Sequence, residues 1–266
     1  MGSDPYLSSL IASFYVDQLV EQNVVPAWDL ALVLSALIKH PFEAKDMGTV
    51  SLKHLTYKTV FLLSLATGAR RGEVHALDLS RIRWAEDGSE VFLRPYVGFM
   101  AKTQVARDPS TALSGFRVRS LAKGLGRSDP DRLLCPLRML RYYIDRTKAI
   151  RAGNRRIFIP MRGNASKMKL SPNTISSWIK RCIATSYEIA GQDEALRRLN
   201  SVRAHEVRAL SASWDAIKNV SLSDILAACR WKAHTTFTSF YLRDMAELEG
   251  RLLAFKAVPT ASASRL

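Results

Sequence analysis

The chain has 266 residues, 47% of them apolar and 24% charged, which is the composition of a folded protein with one sizeable core or one core plus a small appendage. Lys and Arg number 39 against 24 Asp and Glu, a formal charge of +15 that favours a polyanionic partner, nucleic acid first, over an acidic small substrate. Cys135, Cys182 and Cys229 form no CxxC pair, no apolar run reaches membrane-spanning length, and Met1 to Pro5 lacks the basic start and apolar stretch of a signal peptide, so the sequence suggests no disulfide scaffold, zinc cluster, membrane span or signal peptide.

Tyr6 to Gln22 reads as a helix or linker ahead of Pro26. Trp28 to Ile38 and Val60 to Leu65 are apolar nearly all round and predict two helices deep in a core. Gly68 suits the end of the second helix, and Arg71-Gly72-Glu73 opens an amphipathic segment, Val74 to Leu79. Short strands are expected at Glu90 to Arg94, Phe99 to Thr103 and Phe116 to Ser120, the last alternating as Phe-Arg-Val-Arg, with Ala106 to Gly115 as a loop. Pro136 suits the first turn of a helix carrying Leu137, Leu140 and Ile144, and Arg155 to Pro160 adds a further short strand. Helical stripes follow at Ile175, Trp178, Ile179, Cys182 and Ile183, and at Val207, Leu210, Trp214 and Ile217. Met245, Leu248, Leu252 and Phe255 form a last amphipathic run, and Lys256 to Leu266 predicts a disordered tail. The expected class is α+β, mainly α-helical, with a small antiparallel sheet.

Three places stand out chemically. Arg70, in Thr67-Gly68-Ala69-Arg70, projects from a helix junction where a fixed guanidinium can bind phosphate through two parallel hydrogen bonds. Its bland counterpart is a surface arginine near a helix end. His205 and Arg208, in His-Glu-Val-Arg, are three residues apart on a helix, so they neighbour each other on a face opposite the Val207 stripe; that face is expected not to be core. Arg230-Trp231 precedes Phe240-Tyr241, where the tyrosine read alone is a packing residue with its hydroxyl at the rim.

Taken in order, TGAR, a lysine in a β-hairpin, HxxR, then a Trp or His shortly before a Tyr, the chain resembles the tyrosine recombinases, a family that includes phage integrases and the Cre and Flp recombinases. The resemblance covers about residues 26 to 245. It is nearest to the recombinases of DIRS-like and Ngaro-like retrotransposons, on the stretches WDLALVLSAL, LTYKTVFLLSLATGARRGEVHAL, AHEVRALSASWDAIKNVSLSDILAA and HTTFTSFYLRD. It implies a catalytic domain over residues 26–255, preceded at 1–25 by the remnant of an N-terminal DNA-clamping domain and followed at 256–266 by the tail. Such a chain is expected to be a piece of a longer protein.

The resemblance further implies DNA strand cleavage and rejoining through a 3′-phosphotyrosine, serving integration of a mobile element in the nucleus. Arg70 matches the first catalytic arginine, Glu73 the acidic residue that braces it, and Lys102 the hairpin lysine that acts as general acid. His205 and Arg208 match the HxxR pair, and Tyr241 the nucleophile. One departure concerns the position that is Gly-His in many integrases: Trp231 lies ten residues before the tyrosine and His234 seven before it, and Trp231 is favoured because Cre and Flp carry tryptophan there. Double-stranded DNA and a protomer tetramer on it are the implied partners, with no cofactor and no metal. Two alternatives stay open: a catalytically silent, recombinase-derived DNA-binding domain, and a type IB topoisomerase that relaxes one duplex. A metal-dependent nuclease is disfavoured, since neither HxxH nor HExxH occurs.

Overall fold

The computed structural model describes residues 28–101, 115–121, 130–161, 170–192, 194, 204, 206–208 and 210–211. Helix α1 (Leu30–Leu37) begins at Asp29, whose side chain accepts the backbone N–H groups of Ala31 and Leu32 at 2.7 and 3.4 Å. Those are two of the donors that a helix start leaves without intrahelical partners. Trp28 stands outside the cap rather than in the helix, yet it is as buried as Leu30 and Leu34 of α1.

Helix α2 (Leu52–Thr67) is the centre of the fold, and the side chains from Leu55 to Ser64 are buried without interruption. Helices α4 (Pro136–Thr147) and α5 (Pro172–Ile189) pack on it, and α1 packs on α5. Both α4 and α5 start with a proline in the first turn, where the missing N–H costs nothing; of the two, Pro136 was expected from the sequence. Their apolar stripes, Leu137 and Leu140 in α4 and Ile175 to Ile183 in α5, face the core.

Burial all round α2 includes Lys58, which is fully buried and donates to Glu43. Arg138 of α4 reaches the same carboxylate with both terminal nitrogens, at 2.9 and 2.6 Å. Burial pulls the Lys58 ammonium down to about 8, against the opposing pull of the Glu43 charge. Burial alone would raise the Glu43 carboxyl, but the hydrogen bonds and charges of Arg138 and Lys58 outweigh it and hold the group below its usual range. Cys135 and Cys182 are buried free thiols, and burial pushes the Cys182 thiol well above its ordinary value.

The sheet is antiparallel with order β1-β2-β3, built from β1 (Arg83–Trp84), β2 (Glu90–Leu93) and β3 (Phe116–Arg119). Val91 pairs with Val118 and Phe92 with Arg117; along β3, Phe116 and Val118 point to the core while Arg117 and Arg119 point out. Gly115, just before β3, has φ +131°, and a Cβ there would lie 2.5 Å from the Leu93 carbonyl oxygen, so the strand can start there only from glycine. The fold is thus α+β and mainly helical with a small antiparallel sheet, and no helix among the described residues is long and apolar enough to cross a membrane.

Four local expectations need correction. Phe99, Met100 and Ala101 form no strand: Phe99 N–H bonds back to Tyr96 C=O at 3.2 Å and Gly98 sits at φ +86°, so the chain turns where it was expected to run straight. The remaining strand of the sheet is Arg83–Trp84, too short to show any alternation. Residues 102 and 103 lie outside the described residues. Helix α3 (Arg71–Ala76) ends before the expected run to Leu79 does, because Leu77 bridges to Pro95 and Asp78 to Arg156, pairing across the chain in place of the helical ladder. Arg155 to Pro160 is correspondingly no strand but that single bridge plus the Ile157 N–H bond to Leu77 C=O, since its partner segment is cut short by the turn at Leu79–Arg81. Finally, Arg208 is not on an open face: it is 3% exposed, buried like Val207 beside it. The expectations for 1–25, 106–114, 214, 217 and everything beyond fall outside the described residues.

Candidate active site

The site is built around the junction between α2 and α3. Gly68 ends α2 in the left-handed conformation, φ 56°, with its N–H on the Ser64 carbonyl at 3.0 Å. This reversal costs glycine nothing and lets the chain start a new helix within three residues. Arg70, with extended backbone, occupies the cap position of α3, and Glu73 is the third residue of that helix. From there the Glu73 carboxylate reaches back to accept the Arg70 backbone N–H at 2.7 Å and the Arg70 guanidinium at 3.1 Å. The first is the returning half of a capping box, so one carboxylate both starts the helix and aims the arginine.

Arg208 arrives from the far end of the described chain. Its Nη1 lies 3.8 Å from Glu73 Oε2, so one carboxylate sits between two guanidinium groups. The side chains of Glu73 and Arg208 are 3% and 4% exposed, whereas Arg70 keeps 23%, which makes Arg70 the member of the trio most open to a ligand. The trio carries a net charge of +1 from two arginines and one glutamate, in surroundings where water screens little. Arginine cannot release its proton under such conditions, so the positive charge is permanent.

The segment that carries Arg208 is held by its neighbour. Glu206 Oε2 accepts the Trp28 indole N–H at 3.0 Å, and Trp28 in turn packs edge-on against Phe61 of α2, centroids 5.9 Å apart. Asp29 N–H donates to the Tyr187 hydroxyl of α5 at 2.6 Å, tying the same corner to a third helix. Alpha-helical 206–208 is thereby locked in place from two sides, Val207 into the core and Glu206 onto Trp28. On the other side of α3, His75 Nε2 donates to the Leu170 carbonyl at 2.7 Å and pins the start of α5 to it.

Of the residues singled out in the sequence, Arg70, Glu73 and Arg208 therefore meet. Lys102, His205, Trp231, His234 and Tyr241 lie outside the described residues. Trp28 and Glu206 were not foreseen in any supporting role. Glu206 sits inside the His-Glu-Val-Arg motif, but its partner lies 178 residues away and no local pattern announces such a bond.

Of the trio, Arg70 has the exposure to offer an anion charge-assisted hydrogen bonds, the kind a phosphate or a developing oxyanion accepts. A comparison with known protein families finds none that matches the chain, and a comparison with curated proteins finds no matching protein.

Proposed function

We propose that this chain is the catalytic domain, over residues 26–255, of a DNA breaking-and-rejoining enzyme of the tyrosine recombinase type. One observation carries the reading: Arg70 and Arg208, distant in sequence, converge on the single buried carboxylate of Glu73. The formal charge of +15 supports a DNA partner. Lys102, His205, Trp231 and Tyr241 enter through the sequence resemblance alone.

A phosphodiester repels nucleophiles because its oxygens are already negative, and the five-coordinate transition state adds charge to the non-bridging pair. Arg70 and Arg208 meet that added charge with cations held in place before the reaction begins, which is often the largest catalytic contribution. Glu73 keeps both from swinging away. The Tyr241 phenol oxygen bonds to phosphorus as the bond to the 5′ oxygen breaks; His205 accepts the phenol proton and Lys102 supplies one to the departing oxygen. Trp231 donates an indole N–H to the phosphoryl oxygens. The phosphotyrosine conserves the energy of the broken bond, so a 5′-hydroxyl from a second duplex reverses the step and exchanges strands. In this reading four protomers assemble on two duplexes, in the nucleus, to integrate mobile-element DNA.

The test is a nicked suicide duplex that traps the covalent step. Wild-type protein is expected to leave a denaturation-resistant protein–DNA adduct, Tyr241→Phe none, and proteolysis of the adduct should recover a nucleotide on Tyr241. A wild-type chain that binds the duplex but yields no adduct overturns the enzyme assignment.

A further inference from the structure

Beyond the arginine pair, a second group of arginines surrounds a surface cavity of about 370 Å³ at the opposite end of α3. Arg81, Arg155 and Arg156 line it together with Asp78, Tyr96 and Asn154. Three backbone segments carry these side chains and are bonded to one another: Asp78 N–H to Arg94 C=O at 2.9 Å, Tyr96 N–H to Ala76 C=O at 3.0 Å, and Leu79 N–H to Arg155 C=O at 2.7 Å. The walls are therefore rigid before anything binds.

Each arginine spends part of its fork on the protein and is held by it. Arg81 Nη1 donates to Pro95 C=O at 2.6 Å, Arg156 Nη1 to Ala76 C=O at 3.2 Å, and Arg155 Nη2 to the Ser80 hydroxyl at 2.6 Å. A guanidinium has five N–H donors, so donors remain on each for a ligand. Asp78, the carboxylate of the group, is 6% exposed, and its Oδ1 already accepts the Ser80 N–H and hydroxyl at 2.9 and 2.7 Å. Arg155 Nε also lies 3.9 Å from that Oδ1, so the cavity keeps a positive balance of three arginines against one nearly buried aspartate.

Tyr96 decides between a phosphate and a base as the occupant. Arg156 lies over its ring at 3.6 Å, and Phe99 abuts it edge-on at 5.7 Å. With one face covered by a cation and the ring wedged against a neighbour, Tyr96 serves as a platform for Arg156 and not as a stacking surface for a nucleobase. Helix α3, six residues and so about 9 Å long, runs between this cavity and Arg70.

We propose that the Arg81–Arg155–Arg156 cavity is a second phosphate-binding site that grips the DNA backbone away from the phosphate held by Arg70 and Arg208. It contributes affinity but no base readout, as phosphate contacts do. This rests on the DNA reading above, but not on its chemistry, because the site makes no contact with reacting atoms.

The experiment is equilibrium binding of a fluorescent duplex across a salt series. Arg155→Gln is the first variant, since its side chain is 71% exposed and its loss should not disturb folding. Arg81→Gln is the second, and a melting curve is recorded for each. Lys148→Gln removes an exposed charge elsewhere and serves as the control. Each cavity variant is expected to weaken binding of every duplex sequence alike and to flatten the slope of log affinity against log salt by about 0.9, with Lys148→Gln changing neither. Folded Arg155→Gln and Arg81→Gln proteins that bind with wild-type affinity and slope overturn the second site while leaving DNA binding intact. If the wild type binds no duplex yet binds inorganic phosphate, the DNA assignment falls. A wild type that binds duplex but forms no adduct counts against the enzyme reading alone and leaves the second site standing.

Discussion

Glu73 and Arg208 face each other across the junction of α2 and α3, Oε2 to Nη1 3.8 Å, with both side chains almost wholly enclosed. A buried arginine beside a carboxylate is stable only while the carboxylate is there, because water cannot replace the lost partner. Glu73→Gln is therefore expected to lower the unfolding free energy by about 3 kcal/mol in a urea titration, the scale for breaking a buried pair. A variant that unfolds at the wild-type urea midpoint would show that the pairing carries no weight.

The functional counterpart is Arg208→Lys. Lysine keeps the charge but loses the planar fork, so one of the donors aimed at the phosphoryl oxygens disappears. Under the proposed chemistry adduct formation should slow about 100-fold, the lower end for losing one such donor, with duplex binding changed far less. Adduct formed at the wild-type rate by a folded variant would remove Arg208 from the reacting centre.

The Glu43–Lys58–Arg138 cluster sets a pH dependence. The Lys58 ammonium gives up its proton near 8 in the folded chain against 10.5 in the unfolded one, so between those values the unfolded chain holds more protons and rising pH favours the fold. Compared with Lys58→Met, wild-type stability should climb from pH 8 to 10.5. Glu43 works in the other direction: its folded carboxyl lies below 4.5, so its contribution is complete above that value and is lost as acid takes the pH through the folded value. Lys58→Met should be milder than Glu43→Gln, which strands a fully buried ammonium. Denaturant midpoints across the pH range check both statements.

Trp28→Phe keeps an aromatic ring against Phe61 but deletes the indole donor to Glu206. Losing a hydrogen bond to a carboxylate in a partly buried setting should cost roughly 1.5–3 kcal/mol. A double-mutant cycle with Glu206→Gln reads the coupling directly; additive effects would mean that the bond seen between them contributes nothing.

Much of the helical framework was legible because it is written locally. The apolar runs of α1 and α2, the stripe of α5, the proline that opens α4, and Gly68 at the end of α2 each act through neighbours within one or two turns. The extent of α3 and the strand at Arg83–Trp84 were not legible, since Leu77 and Asp78 leave the helical ladder for partners at Pro95 and Arg156 that no local rule connects to them. Lys58 shows the same limit: nothing local to α2 marks this lysine for burial, and the Glu43 carboxylate that offsets its burial comes from outside the helix.

At the site the division is similar. Sequence alone picked out Arg70, Glu73 and Arg208, and the three-residue step from Arg70 to Glu73 already contains their contact, because a third helical residue can reach back to its cap. What tertiary structure decided is that Arg208 comes to the same carboxylate and is enclosed there, and that Trp28 holds the segment which brings it. Local contacts follow from the geometry of a helix turn; a contact between distant residues depends on how whole helices pack, and packing is settled by the summed burial of the core, which no short motif encodes.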